Sequence, residues 1–143
     1  MVTYDVRPIA DEASSLGVRV TGLDELLTQS DFVSLHADSR FDNRHLIDAR
    51  RLRLMRPSAV LVNTARGALV DEDALADALR EGRLAGAALD VFDQEPLSAA
   101  SPLRSLSNVH LAPHNSNSSP FAAASVHAST IGHVLRGIGA LMP

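Results

Sequence analysis

The sequence predicts an α/β domain built on a mostly parallel sheet. Three observations support this. Short apolar runs alternate with helix-period stretches along the whole chain. The run Ala59 to Val62 is continuously apolar, as a parallel strand covered on both faces requires. The connections are short, with no internal repeat, low-complexity tract or long linker.

Each element follows from local chemistry. Val2 to Tyr4 reads as a short strand that ends at Asp5. Ala10 to Leu16 can form a helix closed by Gly17, because glycine adopts the left-handed backbone that ends helices. Val18 to Val20 reads as the next strand, and Leu23 to Leu27 as a short helix whose acids Asp24 and Glu25 sit near its positive end. Phe32 to Leu35 is expected to be a strand ending at His36. The segment Arg44 to Met55 carries Leu46, Ile47, Leu52 and Met55, which predict one apolar stripe of a helix stopped by Pro57. Asp71 is placed to cap a helix with Ala74, Leu75, Ala78 and Leu79 facing inward, ending near Gly82. Ala87 to Leu89 and Val109 to Leu111 read as further strands, and Leu97 to Pro102 as a surface loop. Pro120 is expected to start a final alanine-rich helix running to about Leu135.

Composition narrows the function. The chain has 143 residues, 45% of them hydrophobic, which supports one domain with a core. Aromatics are only 3%, so that core must be aliphatic. Net charge is −4 with scattered basic residues, which argues against nucleic-acid binding. The basic run Arg50-Arg51-Leu52-Arg53 reads as the solvated face of a helix. With no cysteine there is no disulfide and no thiolate metal site, and a reducing, cytoplasmic location is expected. No apolar run reaches the roughly 20 residues of a membrane span, and no signal peptide is visible at the start. His110 and His114 have metal-ligand spacing, but Pro113 prevents a regular helix between them, so no metal is expected.

The richest segment is Leu61-Val-Asn-Thr-Ala-Arg66, followed by Gly67-Ala-Leu-Val-Asp71. It puts Arg66 at the carboxyl end of a strand, where open α/β sheets build ligand sites. An acidic stretch, Asp90-Val-Phe-Asp-Gln-Glu95-Pro96, follows the next strand, and Ala112-Pro113-His114 follows the one after. An arginine, a glutamate and a histidine at three successive strand ends suggest chemistry on a small anionic substrate.

These residues carry a resemblance. Asn63 to Asp71, Ala74-Leu75, Ala78-Leu79, Gly82 to Phe92, Glu95-Pro96, Ser101-Pro102-Leu103, Asn108-Val109 and Pro113-His114 are similar to the D-isomer-specific 2-hydroxyacid dehydrogenases. Leu23 to Leu27, Ser30 to His36 and Arg44 to Ile47 extend the match, which runs from about Val2 to about Gly137. The resemblance implies an incomplete Rossmann-type, doubly wound sheet. It also implies an NAD-dependent enzyme that moves hydride between a nicotinamide and a small D-2-hydroxy acid or 2-keto acid.

Residue by residue, the resemblance implies that Arg66 binds the substrate carboxylate and carbonyl. A guanidinium suits this because its planar donors fit a carboxylate bidentately and stay charged. His114 would be the acid/base and Glu95 its hydrogen-bond partner, raising the imidazole pKa. Asp5 would accept the adenine ribose hydroxyls. Asp90 would hold the nicotinamide carboxamide or the arginine, and His36, Thr64, Ala65 and Ser116 would line the cofactor cleft.

The match also implies what is missing. The only Gly-x-Gly is Gly137-Ile-Gly139, at the tail, so residues 1–143 read as a partial dinucleotide-binding domain that starts after the glycine-rich loop and lacks the upstream substrate domain. The strands Val2–Tyr4 and Phe32–Leu35 would then lose their common neighbour and expose unpaired edges. The expected consequence is rearrangement, homo-oligomerisation, or pairing with a complementing N-terminal segment, with the chain alone inactive. The alternatives are a binding module like the C-terminal-binding-protein corepressors, or a truncated interaction protein.

Two stretches depart from the family pattern. Asn115-Ser-Asn-Ser-Ser119 follows His114 where apolar and small residues are usual, and Ala37-Asp38-Ser39-Arg40-Phe41-Asp42 replaces a proline- and threonine-containing loop. Asp38 puts a carboxylate where cofactor or substrate approaches. Asp5 favours NAD over NADP by repelling a 2′-phosphate, an inference that Arg7 nearby weakens.

Overall fold

The computed structural model describes residues 1–116, 118, 119, 121, 122, 124, 125, 128 and 129. They fall into two compact units, Met1–Pro113 and His114–Pro143.

The first unit is α/β and every strand pairing in it is parallel. β1 (Val2–Thr3) pairs with β2 (Arg19–Val20), and β3 (Phe32–Leu35), β4 (Val60–Asn63), β5 (Gly86–Leu89) and β6 (Val109–Leu111) form a four-stranded sheet in that order. The register sets Leu35 beside Asn63 and Asn63 beside Leu89. Because the strands are parallel, the polar segments that follow β3, β4 and β5 emerge at one end of the sheet. β1 and β3 are each a terminal strand of separate sheets. Phe32 on the open edge is 75% exposed.

The helices lie close to expectation. α1 (Ala10–Ser15) ends at Gly17 with φ 66, where the Gly17 N–H donates to Ser14 O (3.0 Å) and the Val18 N–H to Ala13 O (2.8 Å), the paired closure that a left-handed glycine permits. α2 (Leu23–Gln29) runs two residues further than expected. α3 (Ala49–Leu52) is short, and α4 (Glu72–Arg80) is capped by Asp71, whose carboxylate accepts from the Ala74 N–H at 3.1 Å. It buries Leu75, Ala76, Ala78 and Leu79, and Leu75 alone contributes about 2–3 kcal/mol of apolar burial.

One element differs. The expected helix over Arg44 to Met55 is only α3 (Ala49–Leu52), preceded by a 3-10 turn at Phe41–Asn43. Two competing interactions defeat the helical period. Ile47 bridges to Val70, with His45 N–H on Ala68 O (2.8 Å), Ile47 N–H on Leu69 O (2.9 Å) and Asp71 N–H on Ile47 O (3.0 Å). Asp48 then caps α3 by accepting from the Arg51 N–H at 2.8 Å. The expected burial survives the change of backbone: Ile47, Leu52 and Met55 are buried and Leu46 packs against the core.

That core is one aliphatic cluster drawn from Leu27, Val33, Leu35, Leu61, Leu75, Leu79, Leu89 and Leu103 among others, with Phe92 as its one aromatic member among the described residues. In the second unit, residues 121, 122, 124, 125, 128 and 129 are helical, and Ser119 Oγ accepts from the Ala122 N–H at 3.0 Å. The rest of the expected Pro120-to-Leu135 helix, and the Gly137-Ile-Gly139 tail, lie outside the described residues.

Candidate functional site

A cleft of about 540 Å³ opens at the carboxyl ends of β3 and β4, lined by His36, Ala37, Asp38, Ser39, Thr64, Ala65 and Arg66. Four residues nominated from the sequence, His36, Thr64, Ala65 and Arg66, therefore share one wall.

The turn that carries Arg66 is shaped by Asn63. This side chain is 1% exposed, accepts from the Ala65 N–H at 3.1 Å and donates to Arg66 O at 2.9 Å. Both ends of a buried amide are thus satisfied within the turn, which removes alternatives for the backbone of 63–66. Gly67 completes the placement. A Cβ there would overlap the backbone of Phe92 and Asp93, so only glycine lets the turn after β4 lie against the segment after β5. Among the described residues the Arg66 guanidinium donates to Ala65 O (2.5 Å) and pairs with no carboxylate, which leaves it available to an anionic ligand.

The neighbouring segment holds the acids. Asp90 is 4% exposed, and its N–H donates to Asn63 O at 3.0 Å, which ties the ends of β4 and β5. Glu95 folds back so that its Oε1 accepts from the Phe92 N–H at 3.0 Å. Glu72 of α4 accepts from the Asp93 N–H at 2.6 Å. Burial pushes the Glu72 carboxyl above its usual range, and the charges of Asp93, Asp73 and Glu95 add to that. The Arg44 guanidinium forks onto Asp93 (2.9 and 2.6 Å) and holds its carboxyl below the usual range.

Ser34 Oγ lies 2.9 Å from His36 Nε2. Asp5 follows β1 and is gripped by Arg7, which holds its pKa down to about 2. His114 opens the second unit with a left-handed backbone (φ 55), and Ser116 lies in the turn that follows. Among the described residues no three His, Cys, Asp or Glu gather as a metal site. Sequence reasoning gave no role to Asn63, Ser39 or Arg40. The legible signal was a repeated Asp-x-Arg spacing at Asp5-Val-Arg7 and Asp38-Ser-Arg40.

A parallel sheet with ligand-facing groups at its carboxyl edge and an acid after the first strand defines a nucleotide-binding domain of the Rossmann type. The chain belongs to the D-isomer specific 2-hydroxyacid dehydrogenase family: residues 1–116 match the model of its NAD binding domain. It is 48% identical over 116 residues to a glyoxylate reductase of Korarchaeum cryptofilum, covering 81% of this chain and 35% of that protein. It is 40% identical over 141 residues to a D-3-phosphoglycerate dehydrogenase of Methanocaldococcus jannaschii, covering 96% and 27%. The fold superposes on the crystal structure of a glyoxylate reductase from Paecilomyes thermophila with a TM-score of 0.80 at 33% identity, covering 89% of this chain and 38% of that one. The chain thus spans about a third of the length of the curated relatives it matches.

The residues present fit part of a dinucleotide. The open cleft at the carboxyl ends of β3 and β4 and an acid after β1 are features that a dinucleotide site uses. No glycine-rich turn that would cradle a pyrophosphate is found among the described residues.

Proposed function

We propose that this chain is the cofactor-binding part of an NAD-dependent oxidoreductase acting on a small D-2-hydroxy acid or 2-keto acid. The single observation that supports this best is the cleft in which Arg66 stands beside His36, Thr64 and Ala65 at the carboxyl ends of β3 and β4. The bound nicotinamide supplies or receives the hydride. Arg66 holds the substrate carboxylate by a bidentate fork and orients its carbonyl. His114 would give a proton to the carbonyl oxygen in reduction and take it back in oxidation. Asp90 would hold the carboxamide or the arginine, Asp5 the adenosine ribose, and Ser116 would line the cofactor site.

In this reading the open edges of β1 and β3 are completed by a strand–glycine turn–helix segment from further polypeptide, or are covered by pairing with a second copy. The chain alone is inactive because the pyrophosphate lacks its cradle. A cytoplasmic setting is consistent with the absence of cysteine.

The test is NADH oxidation driven by glyoxylate or hydroxypyruvate. The 143-residue chain is assayed alone and with a glycine-rich strand–turn–helix segment of a relative supplied in trans. Activity only in the mixture, lost by at least about 100-fold on Arg66→Ala, is expected. A well-folded mixture that binds NADH and turns over no 2-keto acid contradicts the reading.

A further inference from the structure

The main chain at Phe92 and Asp93 is held from four directions, all within the first unit. The Phe92 N–H donates to Glu95 Oε1 at 3.0 Å. The Asp93 N–H donates at 2.6 Å to Oε1 of Glu72, the first residue of α4. Gly67 presses on the peptide between them, where a Cβ would overlap the Phe92 carbonyl and the Asp93 nitrogen. The Arg44 guanidinium closes the fourth side with a fork on the Asp93 carboxylate, Nη1 to Oδ1 at 2.9 Å and Nη2 to Oδ2 at 2.6 Å.

Arg44 is itself fixed to the turn that carries Arg66. The next residue, His45, has a left-handed backbone (φ 53), and its N–H donates to Ala68 O at 2.8 Å. Ile47 continues the tie with its N–H on Leu69 O at 2.9 Å. A residue without glycine's freedom keeps such a backbone where its surroundings over-determine it. The contacts close a triangle. The 44–47 segment is bonded to 68–69 through main chain and to Asp93 through a side chain, and Gly67 lies against Asp93. Arg66 stands one residue before that corner. The fork joins residues 49 apart in sequence, and both side chains are partly exposed. Such a pair adds little to global stability, so its effect is local.

Resting on the assignment of Arg66 to the substrate carboxylate, we propose that Arg44 is a positioning residue for substrate binding: by holding Asp93 against Gly67 it fixes the direction in which Arg66 presents its guanidinium. No proton or electron moves at Arg44. Without the fork, the Asp93 segment keeps its bonds to Glu72 and Glu95 but loses its side-chain tie to the 44–47 segment, and the turn beside it gains room to shift. A bidentate grip on a carboxylate is sensitive to that shift, because two donors have to reach two oxygens at once. The effect is bounded by what a partly exposed pair can deliver, about five-fold in affinity.

The experiment titrates the 143-residue chain with glyoxylate, followed by amide chemical shifts around Gly67, with a melting curve for each variant. Arg66→Ala is the control and is expected to abolish binding. Arg44→Ala is expected to weaken glyoxylate by about five-fold at an unchanged melting midpoint. Arg44→Lys, which keeps the charge and loses the fork, is expected to weaken it by only about two-fold. Asp93→Asn removes the fork from the other side. It is expected to match Arg44→Ala, and the two together to weaken binding no further than either alone. Wild-type affinity in Arg44→Ala or Asp93→Asn overturns the role of Arg44 and leaves Arg66 as the carboxylate site. A loss that Arg44→Lys does not recover, or that follows a lowered melting midpoint, does the same. Binding that survives Arg66→Ala, or no binding to the folded wild-type chain, removes the reading of Arg66, and this proposal with it.

Discussion

Gly67 lies directly against the Phe92–Asp93 peptide, with no room for a Cβ between them. This contact couples the turn that presents Arg66 to the segment that presents Glu95. The two segments come from different strands, and a backbone approach this close is open only to glycine. Gly67→Ala is therefore expected to cost about 2–3 kcal/mol by overpacking against main chain that cannot rotate away. Urea denaturation measures it; a change under about 0.5 kcal/mol would show that the two segments separate freely.

Asn63 braces the same turn from inside. Asn63→Ala leaves the Ala65 N–H and the Arg66 carbonyl without their partner in a buried place, which costs about 2–3 kcal/mol. Asn63→Asp keeps the acceptor, loses the donor and buries a charge, so it is expected to be at least as harmful. Denaturation midpoints of the two variants rank the effects, and Asn63→Asp more stable than Asn63→Ala sinks the bracing argument.

Glu72 carries a pH signature. Its carboxyl titrates above the usual range when folded, so the folded protein holds that proton more tightly than the unfolded chain. The full contribution is present below the unfolded value, and stability falls as pH rises through the folded one. Glu72→Gln removes the charge and keeps an oxygen for the Asp93 N–H. It is expected to be neutral or stabilising at pH 7 and to flatten that decline, as read from melting curves between about pH 4 and 7. A variant with an unchanged slope refutes this.

Asp5 has the opposite sign. Its folded pKa lies at about 2, below the ordinary value of 3.8, so its contribution is present above that ordinary value and fades as pH falls toward 2. Arg7→Ala is expected to return the Asp5 titration, followed by carboxyl carbon shifts, toward 3.8. A midpoint still near 2 in the variant would assign the depression to something other than the fork.

The helix cap at Asp71 is the simplest case. Asp71→Ala is expected to cost about 1 kcal/mol by leaving the Ala74 N–H without its acceptor. Thermal melting measures it, and an unshifted midpoint would mean that water replaces the cap without loss.

Much of this molecule was determined locally. Period-two and period-3.6 patterns, Gly17, Asp71 and the apolar run before Asn63 each act within a few residues, so strands β1 to β6 and helices α1, α2 and α4 were legible from the chain. The fate of Arg44 to Met55 was not, because Ile47 spends its backbone bonds on Leu69 and Asp71, partners remote in sequence that only the packed fold brings near. The same division holds at the site. Residue types and their order nominated Arg66, Glu95 and His114 at three successive strand ends. The tertiary structure alone decided that His36 and Asp38 line one cleft with Arg66. Strand register and side-chain pairing are set by contacts between distant segments, and no local pattern encodes those contacts.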